Sequence, residues 1–168
     1  NDLSFILSDD HVLMAFPADD LMSRESMIQR GDIVDIFATF QQEVKTVGEP
    51  VDPQTGEEKE PDMRTFTVDT LQKVNITAMV LEVISEETNA NTTVLPGQTA
   101  QPTPAPKTRI RAFLLALNPQ DALILKHLKD TDAIFDIVLR APTSTVQFNL
   151  TPVTEEYIIE FYGLEILP

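Results

Sequence analysis

Residues 26–40, SMIQRGDIVDIFATF, join a turn signal to a run in which apolar residues alternate. Side chains two residues apart share one face of a β-strand. One face of the run 33–40 therefore carries Val34, Ile36, Ala38 and Phe40. The other face carries Ile33, Asp35, Phe37 and Thr39. We predict a strand whose first face lies in the core, with Asp35 on the mixed face, where it is either hydrated or paired.

The tripeptide Arg30-Gly31-Asp32 directly precedes this strand. It has three interpretations: a cell-adhesion signal, part of an acidic metal-binding loop, or the turn that leads into the strand. Adhesion would need the tripeptide at the tip of an exposed loop. Because the apolar alternation begins at the next residue, Gly31 and Asp32 lie at the start of the strand, and the pattern favours the turn.

The remaining pattern predicts further strands at 3–7, 11–16, 71–84, 108–117, 133–140 and 157–162. In 71–84 the apolar side carries Val74, Ile76, Ala78, Val80 and Ile84. In 133–140 we expect Phe135, Ile137 and Leu139 to face inward, with Asp136 and Arg140 outward. Residues 18–29 are predicted to be an irregular or briefly helical connector.

One short helix is predicted between the strands 108–117 and 133–140. Asn118 suits its N-cap, Pro119 its first position and Asp121 its first turn. The predicted fold class is therefore α+β and mainly β: a mixed or antiparallel sheet with one short helix in a strand–helix–strand unit. We expect a single domain over 1–168 with polar insertions at about 43–65 and 85–107. The first of these is predicted to hold the tip of a long hairpin.

Charge and composition exclude several classes of function. The chain has 12 basic and 27 acidic residues, a net charge of −15, and no basic cluster. Nucleic acid and anionic membrane surfaces would repel it, because binding to phosphates requires clustered Lys and Arg. The absence of cysteine excludes disulfides, thiolate zinc sites and a cysteine nucleophile. No apolar run approaches the length of about 18 residues that a membrane-spanning helix needs.

The sequence offers few groups for catalysis or metal binding. The two histidines, His11 and His127, are predicted to be surface side chains. Asp130 and Asp132 lack the glycine and the closing glutamate of a calcium loop, so a solvated turn is favoured. No nucleophile, phosphate-loop or zinc motif occurs. An enzyme built on paired carboxylates stays open as the weakest hypothesis. We assign no catalytic, cofactor-binding or metal-binding residue, and no cofactor.

Three stretches occur in a familiar order: MAFPADDLMSRESMIQRGDIVDIFATF (14–40), TLQKVNITAMV (70–80) and RAFLLALNPQDALILKHLKDTDAIFDIVLRAP (111–142). Together they resemble the Flp (type IVc, tight adherence) pilus assembly protein family CpaB/RcpC. The resemblance covers about half of the chain. The positions that match the family's motifs are Gly31, Asp32, Val34, Asp35, Leu71, Val74, Pro119, Ala122, Leu139 and Arg140. Arg30 departs from the proline that usually precedes Gly-Asp, and both polar insertions are departures as well.

The resemblance implies an extracytoplasmic, non-catalytic part of the pilus machine, in the periplasm or cell envelope. It implies contacts with other assembly components, among them the secretin channel or the pilus itself. It also implies a full-length protein that is anchored to the cytoplasmic membrane through a segment outside this chain. Compared with the family, this chain lacks most of the small β-clip domain. Pairing of an open sheet edge with a partner strand is one route for such contacts.

A second hypothesis belongs to a different class. The acidic loops favour a surface module that binds carbohydrate or calcium. Tryptophan is absent, and Tyr157 and Tyr162 are the only two tyrosines available for stacking on a sugar.

Overall fold

The computed structural model describes residues 7–44, 62–84 and 107–165. Its elements, in chain order, are β1 (Val12–Pro17), α1 (Leu21–Arg24), β2 (Ile33–Val44), β3 (Asp62–Ile84), β4 (Lys107–Leu117), α2 (Pro119–Asp130), β5 (Ile134–Leu139) and α3 (Glu155–Tyr162). The strands form one sheet in the order β1-β4-β3-β2-β5, and all neighbours are antiparallel. The predicted class, α+β and mainly β, is confirmed. Of the two predicted kinds of sheet, mixed or antiparallel, the structure shows the antiparallel one.

The central strand β3 is 23 residues long and has different neighbours along its two halves. Residues 62–75 pair with β2, and residues 75–84 pair with β4. The end of β3 therefore runs past the start of β2. This offset explains why Val80 and Ile84 are 43% and 44% exposed, contrary to the prediction of an apolar side that continues along the whole strand.

The predicted polar insertions fall partly outside the described residues. Segments 45–61 and 85–106 are not described, nor is the predicted strand 3–7 apart from Leu7. Their flanks differ from the prediction, because residues 43–44 and 62–65 belong to β2 and β3, and Lys107 begins β4. Val44 pairs with Asp62, so the two strands that enter and leave the first insertion are hydrogen-bonded neighbours.

The core lies against one face of the sheet. Val34, Ile36 and Ala38 are fully buried, which confirms the predicted core face of β2, while Phe40 is only partly buried. The hydrophobic cluster around them also contains Phe16 from β1, Ile28 from the connector, Ile76 from β3, Phe113 and Leu115 from β4, Leu125 from α2 and Ile137 from β5. All five strands and one helix thus contribute to a single core.

The helix α2 begins as predicted. Asn118 Oδ1 accepts a hydrogen bond from the Asp121 backbone N–H at 2.9 Å, and Pro119 occupies the first turn. The connector 18–29 holds the four-residue helix α1, capped by Asp20. No helix among the described residues is long and apolar enough to cross a bilayer.

The last predicted strand, 157–162, is wrong, because these residues belong to helix α3. Thr154 Oγ1 accepts from the Tyr157 backbone N–H at 3.2 Å and caps the helix. Glu155 and Glu156 occupy the first turn, where carboxylates interact favourably with the helix dipole. Gly163, at φ 60°, ends the helix in the left-handed conformation. These capping signals outweigh the strand preference of the aromatic and β-branched residues.

Candidate functional site

Most of the residues that match the family motifs lie near the start of β2, where the chain makes a tight turn. Gln29 N–H donates to Asp32 Oδ2 at 2.8 Å, and Gly31 adopts φ +91°. Gly31 N–H donates to the Ile76 carbonyl at 2.8 Å, and Ile76 N–H donates to the Asp32 carbonyl at 3.0 Å. The predicted turn is present, and its backbone is tied to β3. Glycine is required at position 31 for its positive φ.

Three residues after this turn, Asp35 forms a buried ion pair with Arg140. Arg140 Nε donates to Asp35 Oδ2 at 2.8 Å, and the two side chains are only 3–4% exposed. The other oxygen, Asp35 Oδ1, accepts the Lys73 backbone N–H at 2.8 Å. This bond depends on a bulge in β3, where Gln72 and Lys73 interrupt the pairing with β2 and Lys73 adopts φ 57°. Both oxygens of Asp35 therefore have a partner.

The remaining donors of Arg140 hold the segment that follows β5. Arg140 Nη1 donates to the Val146 carbonyl at 2.6 Å, and Nη2 donates to Gln72 Oε1 at 3.1 Å. The Phe148 ring lies with its centroid 4.1 Å from Arg140 Cζ, in a cation–π contact. Gln72 completes the arrangement, since its amide donates to the Phe148 carbonyl and accepts the Phe148 N–H, at 3.0 and 2.9 Å. We call Asp35, Gln72, Arg140 and Phe148 the Arg140 cluster.

The prediction that Arg140 faces outward holds for the face of the sheet but not for exposure. Arg140 does lie off the core face, but it is buried, at 6% exposure, because the segment 141–148 returns over it. Leu139, predicted to face inward, is 43% exposed at the edge of the sheet. Of the two alternatives for Asp35, hydrated or paired, the structure shows the paired one.

A second carboxylate, Asp69, lies near the Arg140 cluster without a hydrogen bond. Both of its carboxylate oxygens are shielded from solvent and have no partner among the described residues. Burial, and then the negative charge of Asp35, raise the pKa of Asp69 to about 6, while Arg140 acts in the opposite direction. Asp69 is opposite Phe37 in the sheet, and Phe37 is in turn opposite Asp136. The group therefore titrates close to neutral pH.

The contacts of the Arg140 cluster position parts of the chain relative to one another. Each guanidinium nitrogen of Arg140 and each carboxylate oxygen of Asp35 has a hydrogen-bond partner within the fold. These contacts join β2, β3 and the segment after β5. The cluster thus connects Val146 and Phe148 of that segment to the sheet.

The structure brings most of the motif residues together. Val34 is opposite both Leu139 and Val74, and Leu71 is opposite Ile36. Gly31, Asp32, Asp35 and Arg140 surround this pairing. The remaining two lie elsewhere: Pro119 begins α2, and Ala122 packs against the core.

Sequence reasoning missed Gln72, Phe148 and Asp69. The spacing of the apolar residues around Gln72 does contain a signal for its unusual position. Leu71 and Val74 are both buried although they are three residues apart, which strict alternation forbids, and this implies a bulge between them. Phe148 and Asp69 have no local signal, because Phe148 bonds to Gln72, 76 residues away, and Asp69 is affected by Asp35 and Arg140 from other strands.

The other candidate groups remain apart. His11 contacts Asp10 at 2.7 Å on the surface, and His127 lies in the last turn of α2. Asp130 pairs with Lys126, and Asp132 follows in an exposed turn. Within residues 7–44, 62–84 and 107–165, no three His, Asp or Glu side chains are placed to hold a metal ion together.

Comparisons of the chain with protein families, with curated proteins and with solved structures find no match. The family resemblance therefore rests on the three sequence stretches quoted above.

Proposed function

We propose that this domain is a non-catalytic accessory component of the Flp (type IVc, tight adherence) pilus assembly machine, acting through protein contacts outside the cytoplasm. The observation that carries the proposal is the contact between Asp35 and Arg140, which belong to motifs 105 residues apart in the chain. Motif residues that meet in one buried pair describe a single structural unit, which supports the resemblance better than separate short matches do. The Arg140 cluster suits a scaffold, since its polar groups bond to other parts of the fold.

The outer edge of β5 offers a route for protein contacts. Arg140 N–H donates to the Ile33 carbonyl, so in the antiparallel ladder the odd-numbered residues 135, 137 and 139 direct their backbone groups away from β2. These groups have no backbone partner among the described residues. Ile134 and Leu139 are 68% and 43% exposed at the two ends of the edge. A partner strand could add to this edge by main-chain hydrogen bonds.

The function is tested by isolating the full-length protein from its host envelope, with a form that lacks this domain as the control. We expect secretin or pilus-motor components to be enriched with the full-length protein and lost with the deletion. Equal recovery of those components in both samples would refute the proposed role.

The edge route has its own test in Leu139→Pro. Proline removes the N–H that points outward and leaves the bonds to β2 in place. We expect the purified variant to stay folded by circular dichroism and to lose capture of the components above. Leu139→Ala is the matched control, because it removes the same side chain but keeps the N–H. If the proline variant retains capture, the edge of β5 is not the route.

One observation favours the alternative function, a carbohydrate-binding surface. Tyr157 and Tyr162 both lie on α3, and they are 37% and 66% exposed. Exposed tyrosine rings stack on sugars. Isothermal calorimetry of the domain with glycans of the host envelope, and with calcium, would show heat if this function holds. Absence of heat would leave the assembly role alone.

A further inference from the structure

Helix α3 presents an unusual amount of apolar surface to solvent. Phe161 and Tyr162 are both 66% exposed and Leu164 is 53% exposed, while no residue of α3 is fully buried. The ring of Phe161 stacks on Tyr157 at 5.7 Å between centroids and meets Tyr162 edge-on at 5.1 Å. We call Tyr157, Phe161, Tyr162 and Leu164 the α3 surface. A contiguous exposed cluster of aromatic side chains marks an interaction site more often than scattered apolar residues do.

The inner side of α3 fixes the helix on the sheet. Ile158 and Ile159 line a groove with Thr65 and Thr67 of β3. Thr67 exchanges two backbone hydrogen bonds with Val153, each 2.9 Å long, just before the helix. Arg64 pairs with Glu156 at 3.0 Å. These contacts place the α3 surface on the side of the helix away from the groove, where it is exposed to solvent.

The charge around the α3 surface indicates which kind of partner would bind there. Residues 141–165 contain four acidic residues, Glu155, Glu156, Glu160 and Glu165, and no lysine or arginine. A second copy of this chain, with a net charge of −15, brings like charge to the contact. A segment with Lys or Arg beside its apolar residues would suit both the acidic charge and the aromatic rings of the α3 surface. Its cations would meet the carboxylates and the faces of the rings.

We propose that the α3 surface docks a partner protein segment in which basic residues flank apolar ones. This inference deepens the proposed function and rests on its premise that the domain works through protein contacts. It identifies the partner by chemistry, as a cationic, amphipathic stretch of chain. The acidic aromatic face supplies apolar burial for affinity and opposite charge for selection.

The tyrosines of the chain serve as fluorescent reporters of this surface. It has no tryptophan and two tyrosines, and both tyrosines lie on α3. Tyrosine fluorescence of the complete 168-residue chain therefore reports on the α3 surface alone. The ligand probes are two synthetic amphipathic peptides, one of leucine and lysine and one of leucine and glutamate, neither of which contains an aromatic residue.

We expect the lysine peptide to change the tyrosine emission saturably, with an affinity that falls as salt is added. The glutamate peptide should bind at least about tenfold more weakly. Phe161→Ser should weaken binding of the lysine peptide by about tenfold or more, since it removes the centre of the aromatic cluster. Leu123→Ser is the matched control, because Leu123 is a similarly exposed apolar residue, at 63%, on α2. It should leave binding unchanged.

Three results would overturn the inference. Equal binding of the two peptides would mean that charge does not select the partner. Equal binding by the wild-type chain and Phe161→Ser would place the contact elsewhere. Sedimentation showing a dimer of the wild-type chain that Phe161→Ser dissociates would identify the occupant as a second copy. This experiment uses only the purified chain and peptides, so a negative result would refute the α3 surface as a docking site. The pilus role is tested separately by the recovery of pilus components.

Discussion

Asp35 and Arg140 are 105 residues apart in the chain and 2.8 Å apart in the fold, from Arg140 Nε to Asp35 Oδ2. The pair joins β2 to the segment that follows β5. Desolvation offsets much of the attraction between two buried charges, so the pair contributes little net free energy compared with apolar residues in its place. The pair also places Arg140 where its Nη1 donates to the Val146 carbonyl and its guanidinium lies over the Phe148 ring.

Removing one partner of this pair should be severe. Arg140→Met leaves Asp35 buried with only the Lys73 N–H as a partner. We expect the free energy of unfolding to fall by about 3 to 5 kcal/mol. Urea unfolding measures this. The double variant Asp35→Leu with Arg140→Met should recover part of the loss, because no charge is then left unpaired. A single variant with wild-type stability would contradict the assignment of the pair.

Asp69 should make stability depend on pH. Its pKa is raised to about 6 from an ordinary value of 3.8, so the folded state holds the proton more tightly than the unfolded chain does. The free energy of unfolding should therefore fall as the pH rises from about 4 to about 6, and then level off. Asp35 and Arg140 are the charged groups that act on Asp69, in opposite directions, and Asp136 lies two strands away in the same row.

Asp69→Asn removes this titration and tests it directly. We expect the variant to unfold at a higher urea concentration than the wild type at pH 7.5, with the difference disappearing near pH 4. The exposed aspartate Asp9 provides the control, since Asp9→Asn should give no such trend. A difference between Asp69→Asn and wild type that is the same at every pH would show that Asp69 is hydrated in the folded state.

Gln72 should hold the segment after β5 more than it stabilises the whole fold. Gln72→Ala removes two hydrogen bonds to Phe148 and one to Arg140, all at sites that water can partly reach. We expect a loss of about 1 kcal/mol in the free energy of unfolding. Amide exchange at Phe148 should speed up while exchange in β2 and β3 stays slow. Gln42→Ala, at an exposed glutamine of β2, is the control. Unchanged exchange at Phe148 would mean that Gln72 does not hold the segment.

The cap of α3 should govern the order of that helix. Thr154→Ala removes the oxygen that accepts the Tyr157 N–H and should cost about 1 kcal/mol of helix stability. The loss would appear as faster amide exchange across α3, because no residue of the helix is fully buried. Thr154→Ser keeps the hydroxyl and should behave as the wild type. Similar exchange in the alanine and serine variants would exclude the capping role.

The sequence determined the local features of this protein. The alternation at 33–40 predicts the buried face of Val34, Ile36 and Ala38, because period-two burial is a property of the strand itself. Asn118 and Pro119 predict the start of α2, since a cap acts within a few residues. Gly31 predicts the turn before β2 for the same local reason.

Only the tertiary structure decided the rest. The strand position of Arg140 predicts an outward side chain, and it is buried because the chain that follows β5 turns back over it and its guanidinium meets Asp35 from β2. Asp69 acquires its raised pKa from burial and from Asp35, which the chain alone does not place beside it. Helix α3, by contrast, is decided locally by its caps at Thr154 and Gly163, although the strand-like composition of its residues led to the wrong prediction. Local periodicity fixes which face of a strand is apolar, whereas long-range packing decides which polar groups meet and what covers them.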